Sequence, residues 1–214
     1  MPMNKSLLIT RPNHEIVTKY FSVWSKDVIN FAEGKGMRIY DLLGDKATRS
    51  NFESYVSSNN PELIFLNGHG STIELTGQNN EVILDQKSEL NKAIVYARSC
   101  DVGRILGHEL VSKSVKAFIG YERKFILGYS PEKIMRPEED NIAKLFLQPS
   151  NLIVTTIIKG HTVKEADTRS KIEMHKNFRR MLSSASTYEE RFAARWLWSN
   201  INSQVLLGDP NAKI

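Results

Sequence analysis

Two segments decide the fold: LIFLNGHG at residues 63–70 and AIVYARSC at residues 93–100. Each begins with a short continuous apolar run, which predicts a strand buried on both faces of a sheet. The first run leads into a loop that carries His69 between two glycines, and the second ends at Cys100. Ligands of open parallel sheets bind outside the carboxyl ends of the strands. If the two strands are neighbours, His69 and Cys100 face one crevice.

The apolar pattern around these segments predicts alternating strands and helices. Further strands are expected at residues 7–9, 37–43 and 117–120, a hairpin at 71–84, and a final strand and turn at 204–210. Helices are expected at residues 15–32, 48–58, 103–114, 139–147, 163–182 and 188–201. This order predicts an α/β fold with a mostly parallel sheet and helices on both faces. We expect one domain over 1–214, in which a helical part, 136–214, packs on a core, 1–135.

Composition excludes several classes of protein. The chain has 214 residues, 41% of them hydrophobic and 25% charged, which is too apolar for a disordered tail. One cysteine excludes an internal disulfide framework and a multi-cysteine zinc site. The only apolar patch near the N-terminus is LLI, too short for a signal peptide, so we expect a soluble cytoplasmic protein with no membrane contact. A net charge of +5 is mild for a nucleic-acid binder.

His69 and Cys100 have the chemistry of a nucleophilic pair. A thiol needs a base or an electropositive setting to attack at neutral pH, and a histidine can supply this and later protonate the leaving amine. The backbone N–H groups of Gly70 and Cys100 are candidates for an oxyanion hole. The helix expected from Gly103 would bring its positive end close to the thiolate.

These motifs resemble the caspase-like cysteine peptidases of clan CD, and most closely the CHAT-domain and gingipain-type proteases. The resemblance covers residues 6–121 in order, including VKAFIGY at residues 115–121, with a weaker echo in LLGDP at 206–210. It implies a three-layer caspase-hemoglobinase-like fold and a thiol protease, a hydrolase. It also implies a catalytic dyad with Cys100 as nucleophile and His69 as general acid/base. No Gln-Ala-Cys-x-Gly motif surrounds Cys100, a departure from the caspase pattern.

The resemblance further implies cleavage after one chosen residue, P1, through a pocket near the ends of the first strand and of the strand after Cys100. The substrate-binding candidates there are Arg11, which would suit an acidic P1 residue, and Asp101 or Glu122, which would suit a basic one. This choice stays open. A protein or peptide substrate and an activating protein partner are expected, whereas no cofactor is needed. Stress, defence and processing pathways are the settings typical of such proteins.

Two other functions remain open. The chain is either the peptidase, an inactive scaffold that keeps this fold, or a nucleic-acid binder. The last would use a basic helical stretch: Arg169, Lys171, Lys176, Arg179 and Arg180. A pocket role is open for His14, and His108 is expected to be structural. Because His161 and His175 have no partners at metal-ligand spacing, no metal site is expected.

Overall fold

The fold is built around a six-stranded sheet, seen in a computed structural model that describes residues 5–214. The strands are β1 (Ser6–Arg11), β2 (Arg38–Leu43), β3 (Leu63–Asn67), β4 (Glu74–Thr76), β5 (Val82–Asp85), β6 (Ile94–Arg98), β7 (Ala117–Tyr121) and β8 (Gln204–Gly208). The sheet has the order β2-β1-β3-β6-β7-β8. Its first five strands are parallel and β8 is antiparallel to β7, while β4 and β5 form a separate antiparallel hairpin.

Helices cover both faces of this sheet. They are α1 (Ile16–Trp24), α2 (Lys26–Glu33), α3 (Arg49–Asn59), α4 (Leu106–Lys113), α5 (Asn141–Ile158), α6 (Val163–Met181) and α7 (Tyr188–Ser203). Alternate strand residues point to opposite faces. Leu7 and Ile9 join the core beneath α1, α2, α5, α6 and α7, whereas Leu8 joins the core beneath α3, α4 and the hairpin. The predicted α/β fold, with a mostly parallel sheet between two helical layers, is confirmed. Within residues 5–214, no helix has the length and apolar run needed to cross a membrane.

The helix predicted at residues 15–32 is two helices, α1 and α2, which meet at Ser25. Three carbonyl groups near the end of α1 accept hydrogen bonds from side chains of other elements: Phe21 from Arg98, Ser22 from Arg11, and Trp24 from Asn151. The Ser25 hydroxyl also accepts a hydrogen bond from Arg98. The chain turns at this point because tertiary partners take up the polar groups at the junction.

The helix predicted at residues 139–147 is longer than expected, since α5 runs through Pro149 to Ile158. Proline lacks the N–H that would bond the carbonyl four residues earlier, that of Leu145. That carbonyl instead accepts a hydrogen bond of 2.8 Å from the side-chain amide of Asn177 in α6. A neighbouring helix thus replaces the bond that proline removes, and α5 continues.

Arg98, the last residue of β6, is fully buried at the junction of the sheet with the helices. Its guanidinium donates to oxygens of neutral groups on Asn67, Asn151, Ser150, Phe21 and Ser25, at 2.8–3.4 Å. The rings of Phe21 and Phe65 lie 4.8 and 5.0 Å from its central carbon. Burial lowers the pKa of Arg98 to about 10, which leaves it charged at neutral pH. Within residues 5–214, no carboxylate pairs with it.

We expect Arg98→Met to lower the free energy of unfolding by at least about 3 kcal/mol, because several buried oxygens lose their donor together. Urea unfolding of both proteins measures the loss. Arg49→Met is the matched control. The partly exposed Arg49 forms ion pairs with Glu53 and Asp85 near the surface, and such pairs contribute about 1 kcal/mol or less to the free energy of unfolding. Equal losses in the two variants would contradict a structural role for the buried cation.

Candidate active site

His69 and Cys100 follow neighbouring parallel strands at the same edge of the sheet. β3 and β6 are paired to their ends, where Asn67 lies opposite Arg98, and each reactive residue comes two positions later. A Cβ atom added at Gly70 would lie 2.3 Å from Ser99 Oγ and 2.5 Å from the carbonyl oxygen of Cys100. The loop that carries His69 therefore packs directly against the backbone of Cys100, and only glycine fits at position 70. The structure places the two predicted segments side by side at one edge of the sheet.

The hairpin holds the His69 loop in place from its other side. The N–H of Thr76 donates to the carbonyl of His69, and the N–H of Ser71 donates to the carbonyl of Glu74, both at 2.9 Å. A Cβ atom at Gly68 would lie 1.8 Å from the Thr76 carbonyl oxygen, so this close approach also requires glycine. The predicted hairpin thus has a role that the sequence did not reveal: its hydrogen bonds hold the loop that carries His69 in place.

Glu15 is a site residue that the sequence analysis missed. Its Oε2 lies 3.0 Å from Nε2 of His69, and both side chains are partly exposed. Because a carboxylate accepts, Nε2 is the protonated nitrogen and Nδ1 is left free to exchange a proton. Glu15 precedes α1, where its N–H donates to Oγ1 of Thr18 at 3.1 Å. Its contact with His69 joins residues 54 positions apart, a separation at which no local pattern relates them.

Cys100 is half-buried, and its thiol lies 3.8 Å from the carbonyl oxygen of Phe125. Burial raises the pKa of the Cys100 thiol, and the negative charge of Asp101 raises it further, whereas the contact with Phe125 and the positive charge of Lys124 oppose the shift. The resting side chain is therefore a protonated thiol. Forming the thiolate requires a base close to it.

The predicted oxyanion donors are available. Within residues 5–214, the backbone N–H groups of Gly70 and Cys100 have no acceptor in the protein. The helix expected to begin at Gly103 begins instead at Leu106, after a turn in which Asp101 has a left-handed backbone with φ of 60°. The N–H of Leu106 donates to the carbonyl of Thr72 at 2.8 Å, so it is not free to stabilise a thiolate.

The three specificity candidates lie in different environments. Arg11 is buried; its Nε and Nη2 bond to Asp41, and its Nη1 donates to the carbonyl of Ser22 at 3.1 Å. Its charge is paired within the fold, which leaves it unavailable to an acidic P1 residue. Asp101 is half-buried beside Cys100, and Glu122 is exposed just after β7. Both carboxylates have solvent access.

His14 lies at the edge of the site. Its ring is 6.2 Å from the His69 ring, centre to centre, and edge-on to it. Ligand atoms of His14, Glu15 and His69 all lie within 4.8 Å of one another, a grouping that could hold a metal ion. Sequence spacing did not reveal this group, because His69 reaches it through tertiary structure. The remaining histidines lie elsewhere: His108 on α4, His161 beside Glu165, and His175 against Trp198.

Comparison with known proteins shows the class of fold. No protein-family model matches the chain, and no curated protein matches it. Among solved structures it is similar to the Arg-specific cysteine proteinase gingipain R (RGPB), with a TM-score of 0.63 and 11% identity over 99% of this chain and 47% of that one. It is also similar to the complex of Porphyromonas gingivalis RgpB pro- and mature domains, with a TM-score of 0.59 and 10% identity over 97% and 48%.

A third solved structure, described as a protease, has a TM-score of 0.58 and 12% identity over 100% of this chain and 49% of that one. The chain spans about half the length of the structures it matches. It therefore has the gingipain-type, caspase-like fold of these cysteine proteinases. At this identity the likeness concerns the fold alone, and it does not single out the CHAT-domain proteases.

Because the pKa of the Cys100 thiol is raised, we expect this thiol to react slowly with alkylating agents at neutral pH. A higher pKa means less thiolate at a given pH, so iodoacetamide should alkylate Cys100 at pH 7 more slowly than it alkylates a small cysteine peptide. Mass spectrometry from pH 6 to 10 should show the protein's rate inflecting at a higher pH than the peptide's. Fast, pH-independent alkylation between pH 6 and 7 would instead reveal a preformed thiolate.

Proposed function

We propose that this chain is a cysteine endopeptidase that uses a Cys100–His69 dyad. The observation that carries the proposal is the packing of the His69–Gly70 loop against the backbone of Cys100, at the carboxyl ends of adjacent parallel strands. This is where an open parallel sheet binds its ligands. The fold's likeness to cysteine proteinases agrees with this assignment. The reaction needs no cofactor.

The residues divide the reaction between them. The Cys100 thiol transfers its proton to Nδ1 of His69, and the resulting thiolate attacks the carbonyl carbon of the scissile bond. The N–H groups of Gly70 and Cys100 donate to the oxyanion of the tetrahedral intermediate. Glu15 holds Nε2–H and stabilises the imidazolium, which then protonates the leaving amine. Water, deprotonated by His69, hydrolyses the thioester and regenerates the thiol.

We further propose a preference for a basic P1 residue. Of the three candidates, Arg11 already pairs with Asp41, and the two with accessible charge are acidic. Asp101 directly follows the nucleophile, and its carboxylate acts on Cys100 electrostatically. A lysine or arginine side chain in this place would offset that negative charge and favour the thiolate. Substrate binding itself would then help to activate the nucleophile.

A protonated resting thiol also agrees with a latent enzyme that a protein partner switches on. The partner would act by exposing Cys100, since burial is the main cause that raises its pKa. The activating partner is part of this proposal. The competing function is an inactive scaffold that keeps the same fold.

Nucleic-acid binding by α6 receives little support from the arrangement of its charges. Lys171 pairs with Asp167 at 3.1 Å, and Lys176 pairs with Glu173 at 3.2 Å. Arg180 pairs with the buried Glu190 of α7 at 3.0 Å. Because neighbouring carboxylates balance much of this basic stretch, it is a weak attraction for phosphates.

The dyad is tested by cleavage of a fluorogenic peptide library, with P1 varied over Arg, Lys, Asp, Asn and Leu, under reducing conditions with a chelator. We expect Cys100→Ala and His69→Ala each to lower kcat/KM by at least about 10³-fold, because the two residues act as one unit. His161→Ala is the control, since His161 also contacts a glutamate but lies just before α6, and it should retain wild-type activity. Undiminished cleavage by either dyad variant would overturn the assignment.

The same library tests the preference at P1. We expect Asp101→Asn to lower kcat/KM for P1 Arg peptides by at least about tenfold, the effect of losing about 1.4 kcal/mol of charge attraction. Cleavage of P1 Leu peptides should not fall, because removing the Asp101 charge also lowers the pKa of Cys100. Asparagine tolerates the left-handed backbone of this position, so the variant removes only the charge. Glu122→Gln, measured beside it, shows whether the second carboxylate contributes. A wild-type preference for P1 Asp would contradict the proposal.

A further inference from the structure

Three side chains at the proposed dyad, one of them His69 itself, are arranged like metal ligands. Oε2 of Glu15 lies 3.0 Å from Nε2 of His69, and Oε1 of Glu15 lies 3.8 Å from Nε2 of His14. With one ligand atom taken from each residue, the three atoms lie within 4.8 Å of one another, whereas ligands of a tetrahedral zinc ion are about 3.3 Å apart, so a small inward shift of the side chains would complete the set. Glu15 bridges the histidines and is half-exposed, so it can adjust to an ion.

His14 supplies an independent indication of a ligand. Within residues 5–214, neither of its ring nitrogens has a hydrogen-bond partner, although both are buried. Buried polar groups in folded proteins are nearly always bonded, so a nitrogen pair of this kind calls for a ligand or an ion. The His14 ring lies edge-on to the His69 ring, at 75°, and a nitrogen of each ring lies within 4.8 Å of the other and of a Glu15 oxygen.

We infer that His14, Glu15 and His69 form a site for a divalent transition-metal ion, with Zn²⁺ the ion that the donors favour. Two imidazole nitrogens and one carboxylate oxygen are a donor set that zinc accepts, and three protein ligands leave the fourth position to water. Calcium and magnesium prefer oxygen donors and fit this set poorly. The imidazoles lie on different segments, which meet only in the folded protein.

Occupancy of this site would switch off the proposed peptidase, and this part of the inference rests on that function. A metal ion on Nε2 of His69 displaces the proton there, and the neutral ring then carries its proton on Nδ1. Nδ1–H donates but does not accept, so it cannot take the proton of Cys100. The ion also takes Glu15 away from the imidazolium. The metal-bound chain is therefore a latent form that a chelator activates.

Binding is tested without reference to activity, in untagged Cys100→Ser protein, which lacks the thiol as a competing ligand. Zn²⁺ is titrated at pH 7 against a chromophoric chelator. We expect one tight site per chain, weakened at least tenfold by His14→Gln and by Glu15→Gln. His161→Gln is the matched control, because His161 and Glu165 form a similar pair, at 3.2 Å, without a third ligand. The affinity of the His161→Gln variant for Zn²⁺ should stay within about twofold of that of the Cys100→Ser protein.

Two results would overturn the metal site: no stoichiometric Zn²⁺ binding, or binding that both His14→Gln and Glu15→Gln leave unchanged. Circular dichroism and thermal unfolding establish that each variant is folded before it is compared. Using two variants keeps the test decisive if one of them fails to fold.

A second measurement separates this site from the proposed function. Peptide cleavage by the wild type is compared with chelator and with Zn²⁺, and the fold-inhibition of His14→Gln is taken relative to its own activity with chelator. We expect Zn²⁺ to inhibit the wild type at least tenfold more strongly than it inhibits this variant. Equal inhibition of the two proteins would overturn the switch. Tight Zn²⁺ binding by a chain with no peptidase activity in chelator would defeat the proposed function and leave the metal site standing.

Discussion

The buried guanidinium of Arg98 is the interaction on which the rest of the structure depends. It is a charge held without a carboxylate, between two aromatic rings and several neutral oxygens. Burying a charge is costly unless the charged group is hydrogen-bonded. The groups that bond to the Arg98 guanidinium must therefore stay in position around it. They come from β3, from the junction of α1 and α2, and from α5. One side chain thus ties the sheet to the helical layer that covers it.

This constraint also sets the geometry of the site. Arg98 bonds to Asn67, and Asn67 exchanges hydrogen bonds with Thr10, including 2.7 Å from its amide to the Thr10 carbonyl. A series of hydrogen bonds therefore joins the ends of β1, β3 and β6 across the sheet. His69 and Cys100 lie close to these bonds, because His69 is two residues after Asn67 and Cys100 is two residues after Arg98. The segment after β1 carries Glu15, which explains how it reaches His69.

Much of the fold followed from apolar runs and breakers. The strands were predicted from short continuous apolar runs, and most helices from apolar residues at helical spacing. The prediction was wrong where tertiary partners supplied or took a hydrogen bond. The helix predicted at residues 15–32 is divided because side chains of Arg11 and Asn151 bond to the carbonyls of Ser22 and Trp24. Helix α5 continues past Pro149 because Asn177 replaces the missing bond. Such partners lie far away in sequence, and no local pattern announces them.

The sequence alone determined that His69 and Cys100 follow two buried strands, because short apolar runs and the residues that follow them are local features. Only the tertiary structure decided that these strands are neighbours, that Arg11 is paired, and that Glu15 binds the imidazole. The physical reason is that strand order and ion pairing depend on which distant segments become adjacent when the core closes. The apolar pattern specifies that a sheet forms. Buried polar groups such as Arg98 add hydrogen bonds that fix how the strand ends and the covering helices are arranged.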